Sequence, residues 1–271
     1  MELGGVLLGG ASAVVLHEPD GILDSPDLRT VRTTRIGRDG MRLGDDRLGG
    51  RSITLRMTVL DSPETRARLL AVLRPNADTV LRFAVPGVAG GAARAAVRVG
   101  ERGTPLDALH IAGAVRIDVE LQAADPYLYA DQVSTGEVRP DPPRGWGRLF
   151  PLRFPFRFVR PTGDSAAADL VVRGTEDVWP VITLPGPLAH PVITNRAGER
   201  LVIDLDIPAG ESLVVDTGAR TVRLNGADRY GSRAPESVWF PLRPGANRWV
   251  VNDMSGSNAV VAYVSWRDAW L

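Results

Sequence analysis

Apolar and polar residues alternate along much of the chain, and this period of two predicts a protein built mainly from β-strands. Between residues 51 and 60, Ile53, Leu55, Met57 and Val59 fall on one side and Ser52, Thr54, Arg56 and Thr58 on the other, the pattern of a half-buried strand. The same alternation runs through residues 78 to 85, 93 to 100 and 109 to 123; in the last, Val115, Ile117, Val119 and Leu121 oppose Arg116, Asp118 and Glu120. One stretch changes period. Ser62 is placed as an N-cap, Pro63 as the first helical residue, and Leu69, Leu70 and Leu73 share a face, which predicts a single short α-helix. Pro75 ends it by pushing the preceding residue out of the helical region.

Residues 35 to 50 are polar and glycine-rich with little to bury, and predict an exposed loop or a long hairpin. The strand through Leu121 stops at the corner Asp125-Pro126-Tyr127-Leu128-Tyr129 with nearly half the chain still to come. Residues 134 to 165 are crowded with Pro, Gly, Arg and aromatic side chains, and because each proline removes a ladder donor they cannot form a central strand. They read as a connector that buries Trp146, Phe150, Phe154, Phe156 and Phe158 against its neighbours. The expected organisation is an N-terminal β domain with one helix over 1–133, the connector over 134–165, and a C-terminal β-sandwich over 166–271. In that last part short strands recur at sandwich spacing, Asn225-Gly226 supplies a two-residue hairpin turn, and Asp216-Thr217-Gly218 supplies a second reversal.

With 271 residues, 44% of them hydrophobic, the chain can fill one large core or two of ordinary size. The absence of cysteine excludes disulfides, thiolate metal sites and cysteine nucleophiles. Basic and acidic residues balance at 32 each with no long block of one sign, so the electrostatic footprint of a nucleic-acid binder is missing. Every one of those basic residues is arginine, which with the richness in Ala, Gly, Val and Pro points to a GC-rich genome. Glu2 in place of a basic start, and glycines interrupting the apolar N-terminus, argue against a secretory leader. No apolar run approaches the ~20 residues needed to span a bilayer, so membrane insertion is not expected.

Candidate chemistry is sparse. Asp204 and Asp206 share a strand face at about 7 Å, near the separation of a glycosidase pair. Leu201, Ile203, Leu205 and Ile207 fill the other face, however, which makes the aspartates the solvated side of an amphipathic strand. His17, His110 and His190 have no metal-ligand spacing and are read as structural. The glycine-rich runs at 4–10 and 87–91 lack the context of a phosphate loop, and Ser212 and Ser255 stand in no nucleophile elbow. Five tryptophans near turns, Trp179, Trp239, Trp249, Trp266 and Trp270, suit core packing better than sugar stacking. Trp179, Trp239 and Trp249 are kept as weak glycan-stacking candidates.

The order of these pieces resembles the phage distal tail protein family, the siphovirus-type tail component. The resemblance is carried by the one-helix β domain ending in Ala124-Asp125-Pro126-Tyr127-Leu128-Tyr129, the aromatic connector, and the succession at 180–195, 207–230, 240–251 and 264–270. It implies a galectin-like C-terminal β-sandwich and a virion structural protein without enzymatic activity or cofactor. The protein would form a homohexameric ring through the N-terminal domain at the end of the tail tube. It would join the tube protein to the tail tip or baseplate hub and to receptor-binding proteins, and would be assembled in the host cytoplasm. In that frame Asp125 fixes the corner by accepting from backbone donors, Pro126 stops the ladder, and Tyr127 and Tyr129 anchor it by burial. The alternative is a carbohydrate-binding module attaching to host-surface glycans, and a weaker third reading is a glycan-cleaving enzyme using Asp204 and Asp206.

Overall fold

The alternation between residues 51 and 60 forms one ten-residue strand in a computed structural model that describes residues 1–60, 62–85, 89–138, 168–252 and 261–271. Trp146, Phe150, Phe154, Phe156, Phe158 and Ser255 lie outside the described residues. The chain divides into two compact units, residues Met1–Asp131 with Trp270–Leu271, and residues Gln132–Ala269.

The first unit contains β1 (Glu2–Leu3), β2 (Val6–Leu7), β3 (Val14–Leu16), β4 (Leu28–Arg29), β5 (Arg32–Thr34), β6 (Met41–Leu43), β7 (Arg47–Leu48) and β8 (Arg51–Leu60). After them come α1 (Pro63–Val72), β9 (Asp78–Phe83), β10 (Ala93–Gly103), α2 (Ala108–Ile111), β11 (Ala114–Ala123) and β12 (Leu128–Ala130). Its main sheet runs in the order β2-β1-β9-β10-β11-β8-β3, and β12 pairs with β10 and with the late strand Ala269–Trp270. β8 and β11 pair antiparallel over their full length, from Arg51 opposite Ala123 to Leu60 opposite Ala114. One sheet face supplies the core: Ile53, Leu55, Met57 and Val59 of β8 meet Val115, Ile117, Val119 and Leu121 of β11 in one buried cluster with Leu69 and Leu73 of the α1 region. Helix α1 begins as the residues dictate, with Ser62 Oγ accepting from Thr65 N and Pro63 in the first turn, where a missing N–H costs nothing.

The alternation read as a strand from residue 109 does not begin there. Residues 108 to 111 make one helical turn, and β11 starts only at Ala114. The Asp107 carboxylate caps that turn by accepting from His110 N at 3.0 Å, and Gly113, at φ +89°, reverses the chain out of it. Local capping outweighs the period-two pattern because Leu109 and Ile111 have no core to enter and are exposed.

The second unit contains β13 (Ser134–Val138), β14 (Ala168–Val172), β15 (Val181–Pro185), β16 (Leu188–Ala189), β17 (Val192–Asn195) and β18 (Arg200–Val202). It continues with β19 (Asp206–Ile207), β20 (Ser212–Asp216), β21 (Thr221–Leu224), β22 (Ala227–Asp228), β23 (Gly245–Asn252) and β24 (Ala262–Trp266), and ends in β25 (Ala269–Trp270), which the chain shares with the first unit. Two sheets result, β13-β24-β15-β20-β21-β22 and β14-β23-β17-β18, with a small β16-β19 ribbon. They face each other across a shared core. A Cβ at Gly136 of the first sheet would overlap the Leu170 side chain of the second, so a larger residue there would force that leucine to move. Asn225 and Gly226 both have positive φ, as a two-residue hairpin turn requires. Residues 134 to 138 thus form a strand of this unit, paired with β24, rather than a linker.

Candidate functional site

The corner that ends β11 is held from two directions. Asp125 Oδ1 accepts from Tyr127 N at 3.1 Å, closing a local turn, and Asp125 Oδ2 accepts from the Tyr129 hydroxyl at 2.7 Å. Tyr127 and Tyr129 are only half-buried, so the burial that anchors the corner comes from Leu128 between them. Burial raises the Tyr129 phenol above its ordinary value, and the bond to Asp125 reinforces the shift.

The second hold is Arg51, a residue that is 4% exposed at the start of β8. Its Nε and Nη2 donate to Pro126 O at 3.2 and 3.1 Å, and its Nη1 donates to Ile22 O at 2.7 Å and to Asp24 O. One planar guanidinium therefore ties the corner to the segment entering residues 28–48, using donors whose fork geometry a lysine lacks. Burial lowers the Arg51 pKa, while the nearby Asp24 charge opposes that effect. Sequence reasoning missed Arg51, although a signal was present: it stands in phase with Ile53, Leu55, Met57 and Val59, so a charge sits on the buried side of the strand.

In the second unit Asp268 plays a comparable part. It is buried, with Oδ1 accepting from Trp266 Nε1 at 3.0 Å and from Arg173 N at 3.1 Å, and Oδ2 accepting from Ser134 Oγ at 3.4 Å. This explains the closing Trp-Arg-Asp-Ala-Trp run physically, since the carboxylate joins the first strand of the unit to the last.

The three glycan-stacking candidates differ in what they can offer a ligand. Trp249 is 1% exposed and meets Phe240 edge-on, with ring centroids 5.0 Å apart, so it has no face to offer a sugar; the candidacy of Trp249 is corrected by burial. Trp239 is half-buried, and the Arg233 guanidinium lies 5.9 Å from its ring and 5.7 Å from that of Tyr230. Trp179 is 44% exposed, beside the turn in which Asp216 accepts from Gly218 N and Ala219 N.

Asp204 and Asp206 are exposed, as their positions opposite the buried Leu201, Ile203 and Ile207 require. Pairing of β16 with β19 brings His190 against both, with Nδ1 at 2.7 Å from Asp204 and Nε2 at 3.5 Å from Asp206. The imidazole occupies the space in which a scissile bond would have to lie. His17 hydrogen-bonds with Thr58 at 2.8 Å and its main chain pairs with Arg56, a structural role. Among the described residues no group of three or more His, Asp or Glu converges on a metal-sized site, and no helix is long and apolar enough to cross a membrane.

Two surfaces of the first unit have no such internal account. Strands β4 to β7 form a two-step hairpin arm, β5 pairing with β6 and β4 with β7, in which every residue from 27 to 47 is exposed. It displays Leu28, Val31, Ile36, Met41 and Leu43 to solvent, Ile36 at 100%. At the opposite end of β8 and β11, the α2 turn displays Leu106 at 85% and Ile111 at 90%, with Leu109 and Leu60 beside them in sequence or register and also exposed. A groove of about 700 Å³ runs along the polar face at the base of the arm, its lining including the Asp78–Arg98 ion pair and the Ser52–Glu120 hydrogen bond.

Residues 173–270 match the family model of the siphovirus-type tail component, C-terminal domain. Comparison with curated proteins gives no match. Among solved structures, the fold is similar to the Dit protein of phage SPP1, described as a paradigm of the hub adsorption apparatus in phages infecting Gram-positive bacteria. Identity is 14% at a TM-score of 0.68, over 95% of this chain and 94% of that one. It is also similar to chains of the phage p2 baseplate in its activated conformation, with Ca (9% identity, TM-score 0.53, 94% and 91% covered) and with Sr (10%, 0.52, 95% and 91%). These similar proteins are structural parts of tails and baseplates. The chain therefore has the fold of a phage distal tail protein, and its residues 173–270 match the siphovirus-type tail component C-terminal domain.

Proposed function

We propose that the protein is a virion structural component, a distal tail adaptor that joins the tail tube to the tail tip or baseplate. The observation that carries this reading is the likeness in fold to SPP1 Dit across both units, 95% of the chain, with the family match over residues 173–270. In it, the first unit forms a homohexameric ring by heterologous contacts, and the second, a galectin-like sandwich, meets receptor-binding components. The chain acts by assembly rather than catalysis, is built into particles in the host cytoplasm, and needs no cofactor. The exposed, His-bridged aspartate pair and the burial of Trp249 favour this over glycan cleavage or a sugar-stacking platform. Antibody-labelled particles imaged by electron microscopy test the reading: label at the end of the tail distal to the head is expected, and label on the head or along the tube rejects it.

A further inference from the structure

We infer that Arg233 of the second unit, framed by Tyr230 and Trp239, is a contact for a partner protein and takes the carboxylate of an Asp or Glu side chain; this rests on the adaptor reading, in which the second unit meets other components, and names the chemistry of that contact. The guanidinium is oriented before any partner arrives. Its Nη1 donates to Ser237 O at 2.7 Å and to Ala234 O at 3.2 Å, and its central carbon lies over the Tyr230 ring at 5.7 Å and over the Trp239 ring at 5.9 Å. The opposite edge is unused. Nε is buried without an acceptor, and among the described residues Nη2 makes no bond and no carboxylate pairs with the group.

This edge takes an acceptor elsewhere in the chain. In Arg98 and Arg116 the Nε and Nη2 donors close on one carboxylate, Asp78 and Asp107, and in Arg51 they close on Pro126 O. Around Arg233 two neighbouring acids are already engaged: Asp228 Oδ1 accepts from Tyr230 N at 2.9 Å, and Asp204, whose N donates to Ser232 O, places its carboxylate 2.7 Å from His190. A cation already fixed in place, with one donor already out of water, loses little more on pairing, which is the condition for a hot spot rather than a rim charge. The frame favours a protein over a sugar. The guanidinium covers a face of each ring, which leaves less for a pyranose to stack on, while Tyr230 and Val238 expose apolar surface beside it. Arginine set among tyrosine, tryptophan and an aliphatic neighbour is the composition of a protein contact.

Propionate is titrated into the intact chain at constant ionic strength while the Trp239 indole N–H resonance is followed. A saturable shift in the millimolar range is expected, absent with propionamide and absent from Arg233→Gln. Tyr230→Ala, which leaves both Nη1 bonds in place, should weaken the binding several-fold with an unchanged melting temperature, so the test holds even where Arg233→Gln disturbs the loop. No saturation, an equal shift with propionamide or sulfate, or a shift retained in a folded Arg233→Gln chain overturns the site; tighter saturation by glucuronate than by propionate overturns the choice of a protein. Particles judge the adaptor reading separately. Those carrying Arg233→Gln should keep this chain at the tail end and lose about tenfold or more in attachment to host cells. Full attachment with the chain at the tail end retains the adaptor reading and rejects this contact, whereas a chain absent from the tail end rejects the adaptor reading itself.

Discussion

Replacing Arg51 by Met would keep the length of the stem but remove four hydrogen bonds and leave the carbonyls of Ile22, Asp24 and Pro126 short of a donor. A buried, charge-assisted set of this kind is worth about 3 kcal/mol, so Arg51→Met should lower the unfolding free energy of the first unit by that amount, read in urea as a lower midpoint, while leaving the second unit in place. Asp268→Ala should cost the second unit about 3 kcal/mol for the same reason, because Trp266 Nε1 and Arg173 N lose a buried acceptor. Tyr129 adds a pH dependence. The folded chain holds the phenol proton more tightly than the unfolded chain, whose group titrates near about 10. The contribution is complete below that pH and declines as pH rises above it. Comparison of the parent with Tyr129→Phe by denaturation at a series of pH values should show the parent losing stability above about pH 10 relative to the variant.

At the scale of elements, the hairpin arm is the part most free of its own fold. Replacing residues 30–46 with a short turn should leave the stability of the first unit, read by thermal melting, within about 0.5 kcal/mol, since the removed side chains are already in water. The elements differ in how plainly the chain announces them. Strand β8 and helix α1 were legible because each expresses one period or one cap without competition. The α2 turn was hidden because the alternation of residues 109 to 123 carried straight through it, and only Asp107 and Gly113 spoke for a helical turn. Residues 35 to 50 were legible as exposed but not as paired, since glycine-rich polar sequence leaves open whether the two limbs bond to each other. Of the site, the Asp125 turn could be read locally; Arg51 to Pro126 and His190 to Asp204 are contacts across sequence that no local pattern announces.

At the scale of the molecule, the two units have separate cores, and residues 132–269 form a continuous stretch. Expressed alone, that stretch should fold to a β protein with a single cooperative melt in circular dichroism, whereas residues 1–131 alone lack the contribution of Trp270. The partition was only partly legible. Proline and aromatic residues marked a change of unit near residue 134, but the pairing of Ser134–Val138 with Ala262–Trp266 spans well over a hundred residues and places the start of the second unit earlier.

The return of Trp270 and Leu271 to the first unit has a mechanical consequence. The chain leaves that unit after Asp131 and comes back at Trp270, so the second unit is tied to the first by a peptide link at one junction and by the strand pairing of Ala269–Trp270 with β12 at the other. Under a pull the two would not share the load alike: the backbone hydrogen bonds of the second junction would yield while the covalent link at the first still held.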